Sequence, residues 1–372
     1  MRSRNHSPHS IARRLFFPSS LVTMASIRVD RLVDPPCKDE VSRVCYTVCM
    51  RGQHGRTSHA PRKTVVQYLL SLTACAVMFW PLQLMAGSPS CGEYLEEYTK
   101  KRNITRPPRR IPGSLVDSFT LSGLAKLETY YVDDTLGGNG THYQFDTVEI
   151  EAMVQAATKQ LAQQRSGSPN RRLRFLDKVV GDALNHFASE VSGTSAVIFG
   201  STSPWYEAMV LASGAHSVVT IDYNRLSYQH PKIVTAIPSQ ILPLIPREHG
   251  GFDVAFSISS FDHSGLGRFG DPLDATGDLK AMQTTLCMLK PGGLLFLAVP
   301  IGPDCVAFNL HRVYGKHRLP LLLEGFEILS KFGWDESFME KRGNFRKSYE
   351  PIFVLRKPVP KKTLFGRAAD GL

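Results

Sequence analysis

Hydrophobic positions in the C-terminal half of the chain fall into short blocks that alternate between two periods. SAVIFG (195–200), HSVVTID (216–222), KIVTAI (232–237), GFDVAFSIS (251–259) and LLFLAVP (294–300) are apolar runs of strand length. Several end at Gly, Asp or Pro, as buried parallel strands do. Between them lie stretches with helical spacing. PWYEAMVLASGA has Pro204 near its first turn and Gly214 at its end, and DLKAMQTTLCMLK (278–290) places Leu279, Met282, Leu286 and Leu289 on one face. FEILSKFGW (326–334) and YEPIFVLRK (349–357) read as a closing pair of strands. Strands alternating with helices predict an α/β fold with a doubly wound, Rossmann-like, mostly parallel sheet. Upstream, Asp146 followed three residues later by Glu149 reads as a capping box that opens a helix running to about Gln164. A second helix is expected over 172–190, with Leu173, Leu176, Val180, Leu184 and Phe187 on one face.

The N-terminal third has a different pattern. Residues 65–86, VVQYLLSLTACAVMFWPLQLMA, carry no charge, and at 1.5 Å rise they reach about 33 Å, enough to cross a bilayer core. Arg62 and Lys63 precede the run and an acidic segment follows it, which predicts a cytosolic N-terminus and a translocated C-terminal bulk. The implied organisation is a basic tail at 1–63, a signal-anchor helix at 64–87, a stem or linker at 88–114, a helical extension at 115–192, the α/β domain at 193–358 and a tail at 359–372. Two sequons, Asn103-Ile-Thr and Asn139-Gly-Thr, lie on the translocated side. The expected location is that of a single-pass type II protein of the endoplasmic reticulum or Golgi, with a lumenal domain and the bilayer as partner through 65–86. A competing reading takes the five arginines and absent acids of 1–29 as an organellar transit peptide. In a third, translation starts at Met50.

Charge changes the picture less than its total suggests. The formal balance is +11. Residues 1–110 hold 18 Lys and Arg against 7 Asp and Glu, which accounts for all of it; the remaining 26 basic residues face 26 acids. The α/β domain is therefore no basic nucleic-acid binder. Seven scattered cysteines form no CxxC pair and have no histidine at metal-ligand spacing, which argues against a zinc site and excludes a dense disulfide framework but leaves one bridge open.

Ligands of such sheets bind beyond the carboxyl ends of the strands. The chemistry-bearing residues there are Gly200, Ser201 and Ser203 after the first strand, Asp222 after the second, Ser259 and the run FDHSGLGRFGDP (261–272) after the fourth, and HRVYGKHRLP (311–320) after the fifth. The turn Leu289-Lys290-Pro291-Gly292-Gly293, the acid ending the second strand and the closing strand pair resemble class I S-adenosylmethionine-dependent methyltransferases. The runs SSFDHSGLGRFGDPLDATGDLKAM (259–282), LKPGGLLFLAVPIGPD (289–304) and FNLHRVYGKHRLPLL (308–322) resemble more closely the domain of unknown function 268, itself methyltransferase-like, over about 190–357.

The resemblance implies S-adenosylmethionine as cofactor, with Asp222 accepting bonds from the ribose hydroxyls. Gly200, Ser201, Ser203 and Ser259 would complete the cofactor site. The first loop departs from the family pattern, offering FGSTSP with one glycine. The gap from Asp222 to the third strand is also too short for a crossover helix.

In the 262–271 loop, His263 is the candidate general base, with Asp262 or Asp271 fixing its tautomer and Arg268 clamping an acidic acceptor or pairing with Asp271. His311, Arg312, Tyr314 and Arg318 are candidates for acceptor binding. No metal is expected; a magnesium set from Asp271, Asp274, Asp278 and His263 is the minor alternative, and Asp278 reads as a helix cap. The expected function is membrane-anchored methyl transfer to a hydroxyl on a polar acceptor, a glycan in particular. The alternatives are a methyltransferase-like module that binds a ligand or partner without catalysis, and a sugar-nucleotide enzyme on the same sheet.

Overall fold

The computed structural model describes residues 89–167, 173–341, 345 and 349–360. All belong to the unit Gly87–Leu372. The basic tail, the expected membrane span at 65–86 and the tail after 360 lie outside the described residues. Among the described residues no helix is long and apolar enough to cross a membrane.

Twelve strands occur in chain order among the described residues: β1 (Lys126–Thr129), β2 (His142–Phe145), β3 (Ser195–Phe199), β4 (Ser217–Ile221), β5 (Arg225–Tyr228), β6 (Ile233–Ala236), β7 (Phe252–Ile258), β8 (Leu289–Ala298), β9 (Cys305–Phe308), β10 (His311–Val313), β11 (Glu327–Phe332) and β12 (Ile352–Arg356). Seven of them make the main sheet, in the order β11-β12-β8-β7-β3-β4-β6. The pairs from β6 to β8 are parallel, while β12 runs antiparallel to both β8 and β11. The closing pair read from the sequence is thus a reversed strand inserted beside β8, with β11 outside it.

Alternation along the strands builds the core on both faces. Ala196 and Ile198 of β3, Phe256 of β7 and Phe296 of β8 point to one side, where the helices Thr147–Arg165, Phe175–His186 and Trp205–Ala212 pack. Val197, Phe199, Ala255 and Leu295 point to the other, against Gly277–Met288 and Arg318–Leu322. The capping box at Asp146 is present as expected, with the Asp146 side chain accepting from Glu149 N–H and the Glu149 side chain from Asp146 N–H.

Three departures shape the site. The short gap after Asp222 holds no helix. Its chain runs as β5, which pairs in parallel with β2 away from the main sheet. The 115–192 extension is not purely helical, because it supplies β2 and also β1, which joins β9 and β10 in a three-stranded sheet. The stem expected at 88–114 contains the helix Cys91–Thr99, started by a capping box at Ser90 and Glu93 and packed by Leu95 and Tyr98 against the second core. Its first residue is disulfide-bonded to Cys287 of the helix Gly277–Met288. Four of the five apolar runs match β3, β4, β6 and β7 to within a residue at each end, whereas β8 starts at Leu289, so the turn expected at 289–293 is the irregular first part of that strand, where the register with β7 shifts.

Candidate functional site

The strand ends at one edge of the sheet open into a cleft of about 1220 Å³. Gly200, Ser201 and Ser203 from the loop after β3, Asp222 from the end of β4, and Ser259 and His263 beyond β7 all line it, as does Asp271. The opposite wall comes from the helix Cys91–Thr99 and from Arg102, Arg174 and Tyr206.

Asp222 is held by its own chain. Its Oδ2 accepts from Ser201 N–H at 3.2 Å, and its Oδ1 from the backbone N–H and side-chain amide of Asn224 at 2.7 and 3.2 Å. A carboxylate offers about four acceptor positions, so three are taken and one is left for a ligand hydroxyl. Burial pushes its pKa up to about 6, against the hydrogen bonds that pull it down.

The loop after β3 is pressed against the loop after β7. Gly200 has φ of +69°, and a Cβ there would stand 2.1 Å from Ser260 Oγ. Its missing side chain thus serves a close approach of two strand ends. The Ser201 hydroxyl donates to the Ser203 carbonyl, and Tyr228 Oη–H donates to the Ser201 carbonyl at 3.1 Å. Ser201 therefore presents the loop, while exposed Thr202 and Ser203 offer hydroxyls to the cleft. Ser259 holds a left-handed φ of +53° while its N–H pairs with the Ala298 carbonyl at 3.0 Å.

Beneath this loop lies Glu207, fully buried in the helix Trp205–Ala212. Thr220 Oγ1 donates to its Oε1 at 2.9 Å while its Oε2 has no hydrogen-bond partner, and burial raises its pKa to about 7. Sequence reasoning missed this residue because a Glu within an amphipathic helix ordinarily faces water.

The His263 loop is organised differently from expectation. Nδ1–H of His263 donates to the Leu310 carbonyl at 2.6 Å, so a main-chain oxygen fixes the tautomer, where an aspartate was expected. In the neutral ring the lone pair is then on Nε2, 3.4 Å from Asp262 Oδ2. Burial and the nearby Arg268 and Arg312 charges lower the His263 pKa to about 3. The residue lines the cleft, but its basicity is poor for a general base. Asp262 is fully buried with neither carboxylate oxygen hydrogen-bonded, and burial raises its pKa to about 6.

Asp271 organises the turn. Its Oδ2 accepts from Gly265 and Gly267 N–H at 2.7 and 3.1 Å, and its Oδ1 from Phe269 N–H at 3.4 Å. Arg268 pairs with Asp134 at 2.7 Å instead of Asp271 and stacks on Phe269. It is not among the cleft-lining residues.

The expected acceptor segment is also corrected. Arg312, Tyr314 and Arg318 are buried and surround fully buried Asp278. Arg318 donates to it from Nε and Nη2 at 2.8 and 2.6 Å, Tyr314 donates at 3.0 Å, and Arg312 Nε stands 3.7 Å away. Arg312 and Arg318 also donate to main-chain carbonyls of Asp274 and Ala275. None of the three lines the cleft. His311 is likewise buried, with its ring 6.2 Å from that of His263. The pattern HRVYGKHRLP reads as a solvated basic loop or a site because its counter-charge, Asp278, lies more than thirty positions away. Asp278 is a charge anchor where a cap was expected; its side chain forms no cap bond.

Asp274 pairs with Lys280 at 2.6 Å. Among the described residues no group of three or more His, Cys, Asp or Glu side chains is placed to hold a metal ion. Sequence reasoning also missed the whole helical wall at 91–99. The signal was available in Ser90 and Glu93, but the Pro- and Arg-rich flank at 104–112 drew the entire segment into a linker.

A seven-stranded sheet with one reversed strand beside the last parallel one, an acid at the tip of the second strand and a cleft beyond the strand ends together define a class I methyltransferase-like fold. Residues 193–350 match the family described as Caenorhabditis protein of unknown function, DUF268. No curated protein sequence matches the chain. Among solved structures, the chain is similar to 1,6-didemethyltoxoflavin-N1-methyltransferase of Burkholderia thailandensis, with 14% identity, TM-score 0.35, 56% of this chain and 89% of that one covered. It is similar also to the N-methyltransferase NodS of Bradyrhizobium japonicum bound to S-adenosylhomocysteine, with 14% identity, TM-score 0.33 and coverage of 55% and 98%. A third is an S-adenosylmethionine-dependent methyltransferase from Mesorhizobium loti, with 14% identity, TM-score 0.32 and coverage of 49% and 99%.

Proposed function

We propose that the cleft binds S-adenosylmethionine and that the protein transfers a methyl group to a hydroxyl of a polar acceptor, a glycan in particular. The observation that carries this reading is the convergence of Gly200, Asp222 and Ser259 on one cleft at the carboxyl edge of the sheet. The residues present fit a nucleoside. Asp222 keeps one acceptor position for a ribose hydroxyl, and Thr202 and Ser203, which line the same cleft, would offer hydroxyls to the polar end. Bound there, the cofactor would supply an activated methyl group on a sulfonium.

The chain's own task is then mostly alignment, because in-line displacement gains most from fixing the acceptor. His263 contributes a ring whose tautomer is locked, with Nε2 as the proton acceptor and Asp262 beside it to stabilise the charged ring. Its low basicity makes proton removal the smaller part of the rate. That same weakness, with the single-glycine loop, favours the second reading, a module that binds ligand without turnover.

The domain is anchored through 65–86 and faces the lumen in this reading. The uncharged run supports the anchor, and the Cys91–Cys287 bridge supports an oxidising compartment. Calorimetry of the full-length protein tests the cofactor. S-adenosylmethionine and S-adenosylhomocysteine should both bind and a nucleotide sugar should not; no heat with either at millimolar concentration overturns the methyltransferase reading and leaves the binding module. Release of S-adenosylhomocysteine on adding glycan acceptors separates enzyme from binder.

A further inference from the structure

We propose that Asn103 and Asn139 are N-glycosylation sites whose oligosaccharides rise from a single patch beside the cleft. The proposal rests on the lumenal placement inferred above. Both asparagines are exposed, and neither lies in a helix or strand. Asn103 sits in irregular chain four residues after the helix Cys91–Thr99. Asn139 lies in a turn in which Leu136, Gly137, Gly138 and Gly140 all hold left-handed backbone. Its Nδ2 donates to the Leu136 carbonyl at 2.9 Å, which leaves the second N–H of that amide.

The two sequons touch through their middle residues. A Cβ on Gly140 would stand 2.8 Å from Cδ1 of Ile104, so this glycine is what lets the two segments close. Ile104 is anchored on its other side against Gly270 of the His263 loop, where a Cβ would stand 2.5 Å from Ile104 Cγ2. An apolar middle residue turned into the fold leaves the asparagine before it facing water. Arg102, directly before the first sequon, lines the cleft. A glycan on Asn103 therefore begins one residue from the cleft wall.

The donor is a lipid pyrophosphate-linked oligosaccharide, transferred by the host's own enzyme in the lumen. The amide nitrogen forms a bond to C1 of the first sugar, and the C1–O bond to pyrophosphate breaks. The lipid pyrophosphate leaves with the electron pair, and one amide proton passes to solvent. The same compartment is the one in which the Cys91–Cys287 bridge persists.

The test uses the full chain with a C-terminal epitope, expressed in cells with a secretory pathway. Microsomes are treated with protease, and the protected chain with peptide N-glycosidase. The expected result is a protected epitope and two mobility steps on deglycosylation. Asn103→Gln and Asn139→Gln should each remove one step, and the double variant both. Thr105→Ser, which keeps the sequon, should retain its step. A protected epitope with no mobility change overturns the glycosylation sites and leaves the lumenal placement standing. A digested epitope overturns the placement and the sites together.

Discussion

Replacing Asp278 by Ala should unfold the protein more easily without touching the cofactor. Asp278 is fully buried, and Arg312 and Arg318 beside it are 0% and 2% exposed. The substitution deletes two charge-assisted bonds to Arg318 and the bond from Tyr314, and it leaves two guanidinium groups without their carboxylate. Breaking a buried ion pair from one side costs about 3–5 kcal/mol, because the remaining charge stays desolvated. For a domain of this size about 1 kcal/mol corresponds to roughly 2–4 °C, so the melting temperature should fall on the order of 10 °C. Asp278→Asn, which keeps one acceptor oxygen, should fall less. Differential scanning calorimetry reads the loss, and titration with S-adenosylhomocysteine well below the lowered transition should give the wild-type affinity. A variant that melts like wild type but loses acceptor turnover would refute the reasoning, and would return Arg312, Tyr314 and Arg318 to the acceptor site.

Asp222→Asn should weaken cofactor binding at pH 7.5 by roughly tenfold or more, since the loss of a hydrogen bond to a charged group is worth about 1.5–3 kcal/mol. In the wild type the affinity should fall as the pH drops through about 6, where Asp222 takes up its proton; calorimetry across pH 5–8 checks both. Glu207 has a folded pKa raised to about 7, so its contribution to stability is complete at low pH and lost as the pH rises through 7. Glu207→Gln should therefore gain in melting temperature relative to wild type between pH 6 and pH 8, and a gap that stays constant would count against the burial argument. Gly200→Ala should abolish cofactor binding, because the added carbon meets Ser260 and the backbone φ is left-handed; unchanged affinity would contradict the close approach. Cys91→Ser should lower stability by about 2–4 kcal/mol in thermal melts, as loss of a long-range cross-link does, and should loosen the helical wall of the cleft.

The sheet was legible because its strands are buried on both faces and so stand out as continuous apolar runs. β3, β4 and β7 could be read almost to the residue, whereas β8 begins five residues before its apolar run, a start hidden because Pro291, Gly292 and Gly293 read as a turn. β5 could not be read. RLSY carries no apolar run, and its pairing with β2 depends on a partner more than eighty positions away. The edge of the sheet that holds ligands was legible as well, since it follows from strand direction alone, and it places Asp222 and His263 in one cleft.

Roles within that edge were not legible, because they depend on which partner each side chain finds. Arg268 finds Asp134, and Arg318 finds Asp278; both partners lie outside the local window in which the motifs were read. A run of basic residues looks the same in sequence whether its counter-charge is a ligand or a buried aspartate. The stem shows the opposite failure. Its capping signal was local and readable, yet composition over a longer window outweighed it.

The most direct test of the account is a crystal structure of the protein soaked with S-adenosylhomocysteine. The ligand should lie in the cleft between Gly200 and Ser259, with a ribose hydroxyl donating to the open position of Asp222. A structure in which the ligand is absent or sits elsewhere, while Asp222 keeps only its bonds from Ser201 and Asn224, would contradict it.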